Sequence, residues 1–250
     1  MWRYRELIKD LTITDLKNRY QNTSLGFVWS ILSPFLLAMV LYFVFRKIFA
    51  QEENFAINLL VGIMAWRFFA NGTTSSLYSV VGKPSLVTKV FIPRQILVLS
   101  NLLSQLISSL LEFLILVPII FALLGNIPVT LLLFPVIHLL YFWLIFGAGL
   151  FLSALFVYFR DINQIWEILV NILFFCSPII YPMHMVGDYL MPYYMLNPMT
   201  GVIIIYRDVM VNGNLPSFSN LIVVIGFGAI IFLAGSLIFN RLQRRFAEEI

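Results

Sequence analysis

Charge is scarce in this 250-residue chain: its 12 acidic and 16 basic residues make up 11% of it, against 61% hydrophobic residues. Soluble domains carry about 25% charged residues, and so few charges cannot clothe a water-facing globule of this size, which excludes a water-soluble fold. The single cysteine, Cys176, excludes an internal disulfide, a cysteine-based zinc site and an iron–sulfur cluster. The only two histidines, His138 and His184, have no second histidine or carboxylate at ligand spacing, so no metal site is expected. The phosphate-cradling pattern Gly-x-x-x-x-Gly-Lys-Ser/Thr is also missing: Gly82-Lys83 is followed by Pro84, and the residue five before Gly82 is Leu77. No cofactor is therefore expected on this chain, and ATP with magnesium would belong to a separate subunit. A net charge of +4 is too small to point to nucleic acid. Residues 1–20 mix Arg3, Arg5, Lys9, Lys17 and Arg19 with Glu6, Asp10 and Asp15, which does not fit a cleavable signal.

Long apolar runs are what the chain has in abundance. At about 20 residues per crossing, uncharged or nearly uncharged stretches at 27–49, 57–81, 95–124, 131–158, 164–182 and 219–240 predict an all-α integral membrane fold of six transmembrane helices in a single domain, 1–250. An even number of crossings puts both termini on one side. Twelve of the 16 lysines and arginines then fall on that side, which marks it as cytoplasmic. Arg46 and Lys47 run against this bias and are offset by Glu52 and Glu53.

Three segments do not span. In residues 1–24, Tyr4, Leu7, Ile8 and Leu11 recur at helical spacing, and Thr12 with Asp15 reads as a capping box opening a second short helix through Tyr20. A charged amphipathic interface helix is expected there. Residues 82–94 form a basic inner loop bounded by Pro84 and Pro93. The stretch 183–218 is too long for a turn and too apolar for a solvated loop, and Pro192 and Pro198 break it, so it predicts outer re-entrant helices before the last span.

Two kinds of residue inside the spans are candidates for function. Arg67 and Glu112 fall at similar depth in neighbouring spans, and an ion pair between them is the expected arrangement, with a proton or ion pathway as the alternative. Aromatic stripes run along span one at Phe35, Tyr42, Phe45 and Phe49, and along span five at Trp166, Phe174 and Tyr181. Such a stripe is ordinary packing or lipid contact; the sharper reading is a wall of rings over which sugars slide. Composition does not choose between the two.

The ordered motifs resemble a family. Asp15-Leu16-Lys17-Asn18-Arg19-Tyr20, Ser24-Leu25-Gly26, Trp29 and Pro34 are similar to the N-terminal signature of permease subunits of type-2 ATP-binding-cassette exporters that move O-antigen, capsule and teichoic-acid polymers. Gly62 with Trp66-Arg67-Phe68-Phe69, Pro93, Phe159-Arg160-Asp161-Ile162, Ser177-Pro178-Ile179-Ile180-Tyr181-Pro182 and Asn197-Pro198 follow in the same order. The resemblance implies a permease homodimer around a channel in the bacterial inner membrane, two ATP-hydrolysing subunits on the cytoplasmic side, and a lipid-pyrophosphate-linked glycan as substrate. It also implies that the N-terminal helix and the 82–94 loop touch the ATPases, through Asp15, Lys17, Arg19, Tyr20, Lys83 and Lys89. Two other functions stay open: a drug or haem exporter permease of the same superfamily, and an intramembrane enzyme acting on polyprenyl-linked sugars, for which Asp161 and Glu167 are the nearest acid pair.

Overall fold

In hydrocarbon an open chain satisfies its own backbone only as a helix. The computed structural model describes residues 2–21 and 25–249, and every regular element among them is helical. Met1 and residues 22–24 of the expected interface segment, including Ser24 of the N-terminal motif, lie outside the described residues.

The first helix, α1 (Arg5–Tyr20), is one unbroken helix. The capping box expected at Thr12 is not formed: the Thr12 hydroxyl donates to the Ile8 carbonyl at 2.7 Å, the back-bond available to a threonine inside a helix. Five stretches are long and apolar enough to cross a membrane. They contain α2 (Val28–Phe45), α3 (Phe55–Val81), α5 (Gln95–Leu124), α6 (Phe134–Tyr158) and α10 (Phe218–Leu242). Between α3 and α5 lies the short α4 (Pro84–Lys89).

In the expected fifth span, 164–182, the helix is shorter than the apolar run. Its helix, α7 (Ile162–Phe175), has 14 residues, about 21 Å at 1.5 Å per residue, against a hydrocarbon core of about 30 Å. Pro178 cannot donate a backbone bond and disfavours the helical conformation in the residue before it, so the chain turns at 176–180, where the Ile179 N–H donates to the Ser177 carbonyl at 2.7 Å.

Contacts at the two ends of the molecule fix the path. At one end Lys83 meets Asp15 at 2.7 Å, Arg94 donates to the Gln243 carbonyl at 2.8 Å and the Tyr158 hydroxyl donates to the Leu242 carbonyl at 2.9 Å. The N-terminal helix and the end of α10 therefore share that end. At the opposite end Arg207 donates to the carbonyls of Asn58 at 3.1 Å and Ile179 at 2.9 Å, and His184 lies 3.2 Å from Glu52. The chain passes between the ends along α2, α3, α5, α6, α7 and α10, with α7 and its following turn making the shortest passage.

The stretch 183–218 does fold into short helices, chiefly α8 (Met191–Leu196) and α9 (Pro198–Arg207). Asn197 starts α9: its side-chain oxygen accepts from the Met199 N–H at 2.9 Å while its amide donates to Ser177 at 3.1 Å, and Pro198 takes the first position. The α9 side chains Met199, Val202, Ile203 and Tyr206 are buried. Burial lowers the Arg207 guanidinium to about 10, so it stays charged at neutral pH on its two carbonyl acceptors.

Burial is unequal. The most apolar window of α3 is 72% buried, against 11% for α2 and 17% for α10, so α3 is the central post. α6 and α10 cross backbone to backbone: a Cβ on Gly235 would strike the Gly147 carbonyl, and one on Gly147 would strike the Phe232 backbone. Gly235→Val should thus cost about 1–3 kcal/mol through forced separation. Thermal unfolding in detergent checks this: Gly226→Val, at a site with open space around it, should leave the midpoint unchanged while Gly235→Val lowers it.

Candidate functional site: a polar cavity and two uncovered helix faces

The C-terminal end of α1 folds back onto α5. Arg19 donates to Gln105 at 2.7 Å and to Ser108 and Ser104 at 3.3 Å each, and the Tyr20 hydroxyl donates to Ser108 at 3.1 Å. Beyond these contacts lies a cavity of about 570 Å³ between α1, α2, α3 and α5. Ser30 and Ser33 of α2, Asn71, Thr74 and Tyr78 of α3 and Trp29 contribute to its wall.

Both intramembrane charges line this cavity, but the expected Arg67–Glu112 ion pair is not formed. Arg67 donates to Ser33 at 3.0 Å and its Nε has no partner. Glu112 is only 7% exposed and has no partner at hydrogen-bond or salt-bridge distance among the described residues. The two groups face one space instead of each other.

The aromatic stripes are placed by packing. Phe49 is buried, stacked on Phe45 with ring centroids 5.9 Å apart and tilted against Phe55 at 5.1 Å. Tyr42 stacks on Phe55 at 6.1 Å, and Phe35 is half-buried against the core. Trp166 donates from its indole to Thr73 at 3.1 Å, Phe174 sits edge-on to Trp66 at 5.8 Å, and the Tyr181 hydroxyl bonds Tyr194 at 2.8 Å. In the single chain Tyr42 and Phe49 hold α2 and its following turn to α3, Trp166 and Phe174 hold α7 to α3, and Tyr181 joins α8. The faces left open are different: Leu36, Leu37, Met39, Val40, Phe43 and Val44 on α2, and Ile165, Ile168, Ile172 and Phe175 on α7. Gln164, Glu167 and Asn171 are exposed on α7 as well, so its outer face is polar and apolar together.

At the end that carries both termini, the six residues expected to touch an ATPase divide. Asp15 and Lys83 are spent on each other, with side chains 11% and 21% exposed. Arg19 and Tyr20 point at α5. Lys17 and Lys89 are exposed. Sequence reasoning missed Phe91, a fully exposed aromatic two residues after Lys89; its place between Val90 and Ile92 in an inner loop was the available signal. Asp161 and Glu167, the nearest acid pair for an enzyme, are both exposed and are not bonded to each other. His138 is buried with its Nδ1 2.6 Å from the Tyr206 hydroxyl and its ring stacked on Phe68, while its Nε2 has no hydrogen-bond partner among the described residues.

Residues 6–211 match the family model described as ABC-2 type transporter. The chain belongs to this family. Its similarity extends along nearly the whole length of relatives. It is 31% and 32% identical to two proteins from Klebsiella pneumoniae named O-antigen export system permease protein RfbA, each match covering 97% of this chain and 94% of the relative. A protein of the same name from Myxococcus xanthus is 29% identical over 100% of this chain and 97% of its own length. The family match begins in α1 and runs past α9, so the helix that closes one end of the cavity belongs to the ABC-2 core and not to an appendage.

The Asp15–Lys83 contact ties α1 of this ABC-2 chain to the loop before α4. Each single replacement, Asp15→Asn or Lys83→Gln, should destabilise the fold, and a double-mutant cycle should give roughly 1–2 kcal/mol of coupling, between exposed and buried pairs. Additive single effects in thermal unfolding would contradict the contact.

Proposed function

We propose that this chain is the membrane subunit of an ATP-driven exporter that moves a lipid-linked polysaccharide of the O-antigen type out of the cytoplasm. Full-length similarity to proteins named O-antigen export permeases carries the reading. That similarity favours the glycan branch over a drug or haem exporter, and the separated, exposed Asp161 and Glu167 speak against an intramembrane enzyme. The working unit is a homodimer with two separate ATPase subunits, seated in the bacterial inner membrane with both termini cytoplasmic.

The uncovered faces support the dimer. A helix face bearing Gln164, Glu167 and Asn171 is unfavourable against lipid, because polar groups lose their water there without gaining partners. A second copy facing it across a water-filled path satisfies these groups and gives the glycan a protein-lined route. Lys17, Lys89 and Phe91 are the exposed inner-end residues that meet the ATPase, with Asp15–Lys83 holding the two inner segments in register.

The chain should neither bind ATP at micromolar concentration nor hydrolyse it alone, and it should co-purify with a co-expressed cassette ATPase. Deleting its gene should stop surface display of the polymer while lipid-linked polymer accumulates inside, and the wild-type gene should restore display. Unchanged surface polymer in the deletion strain would overturn the proposal.

A further inference from the structure

We infer that the cavity between α1, α2, α3 and α5 is a binding site for the head of an amphiphile in which a phosphoryl group is joined to a sugar. The inference deepens the exporter reading and rests on it for its biological role; the ligand chemistry comes from the wall.

Glu112 is the first observation. A carboxylate more than nine-tenths buried, facing a space of about 570 Å³ and lacking a protein partner, is costly unless something polar fills that space. The oxygens of a carboxyl group accept hydrogen bonds, and a sugar ring brings hydroxyls that can donate to them. The second observation is two guanidinium groups on the same cavity with no ion pair at bonding distance among the described residues. There Arg19 is hydrogen-bonded to the neutral oxygens of Gln105, Ser104 and Ser108, and Arg67 to Ser33, with its Nε unpartnered. Guanidinium forks match phosphate oxygens in shape and charge.

Position orders the two recognitions. Arg19 contacts α5 at residues 104–108, and Glu112 lies four residues past Ser108 on the same helix, about 6 Å deeper at 1.5 Å per residue. The phosphoryl group therefore sits at the Arg19 level, and the sugar reaches on to Glu112 and Arg67. Trp29 is half exposed at the wall and offers its ring face to the sugar. The open apolar face of α2, including Leu36, Leu37 and Val40, leaves room beside the protein for the lipid tail. A phospholipid of the same leaflet brings the same phosphoryl chemistry, and phosphatidylethanolamine also brings an ammonium group to Glu112, so the test separates these sources.

The test uses the permease with its co-expressed ATPase in phosphatidylcholine nanodiscs and measures equilibrium binding of radiolabelled farnesyl-diphosphate-linked N-acetylglucosamine. Saturable binding is expected, weakened about tenfold by Arg67→Gln and by Arg19→Gln. Thr74→Phe, which fills the cavity and removes no charge, should weaken it comparably; Ser30→Tyr fills the same space from α2 and gives the same reading if Thr74→Phe does not assemble. Glu112→Gln should weaken the glycosylated probe about fivefold and leave unglycosylated farnesyl diphosphate unchanged. Wild-type affinity in both filling variants, displacement of the probe by phosphatidylethanolamine, or an equal effect of Glu112→Gln on both probes would overturn the inference. A complex that restores polymer display in cells yet binds no probe overturns the site alone, whereas a complex that fails to restore display overturns the exporter reading.

Discussion

The structure depends on one constraint: in hydrocarbon, a polar group must be covered by protein or by water that the protein admits. α3 meets it most completely. Its polar side chains turn to neighbours, Ser75 to Asn101 at 2.8 Å and Thr73 to the Phe69 carbonyl at 2.7 Å, with Gln105 reaching across from α5 to Ser75 at 2.9 Å. Arg207 shows the same rule at the other end, a buried cation whose charge is spread over two carbonyls. Among the described residues the constraint is left unmet in two places: the cavity that holds Arg67 and Glu112, and the polar outer face of α7.

These exceptions link the membrane part to the end where an ATPase would dock. α1 touches α5 through Arg19 and Tyr20 while Asp15 of the same helix holds Lys83, so one helix connects the cavity to the basic 82–94 loop. Lys17 and Arg19, two residues apart, lie on different faces of α1: Lys17 is exposed while Arg19 bonds α5.

Much of this was legible in the sequence. Long uncharged runs fixed the membrane class, basic residues marked one end, and Pro192 and Pro198 marked the irregular segment that α8 and α9 occupy. The length of α7 was not legible, because its apolar run continues through Ile179 and Ile180 while the helix itself stops before Pro178. The stripes left two readings open for a related reason. Aromatic residues at helical spacing mark a face without saying what that face meets, and Phe49 and Trp166 meet α3. Arg67 and Glu112 were recognisable as unusual from their surroundings, but their depth alone could not show that each turns to a common space. The partners of Arg19 were beyond reach as well, since serines and a glutamine in α5 carry no pattern that points to an arginine 85 or more residues earlier.

The most direct test of the account is disulfide cross-linking between copies, with single cysteines placed along α7 in a Cys176→Ser background and membranes oxidised before solubilisation. Cysteines at 164, 168 and 171, on the open face, should trap a dimer, whereas cysteines at 170 and 173, turned toward the core, should not. Monomer at all five positions, in chains that still support polymer display, would contradict a second copy facing α7.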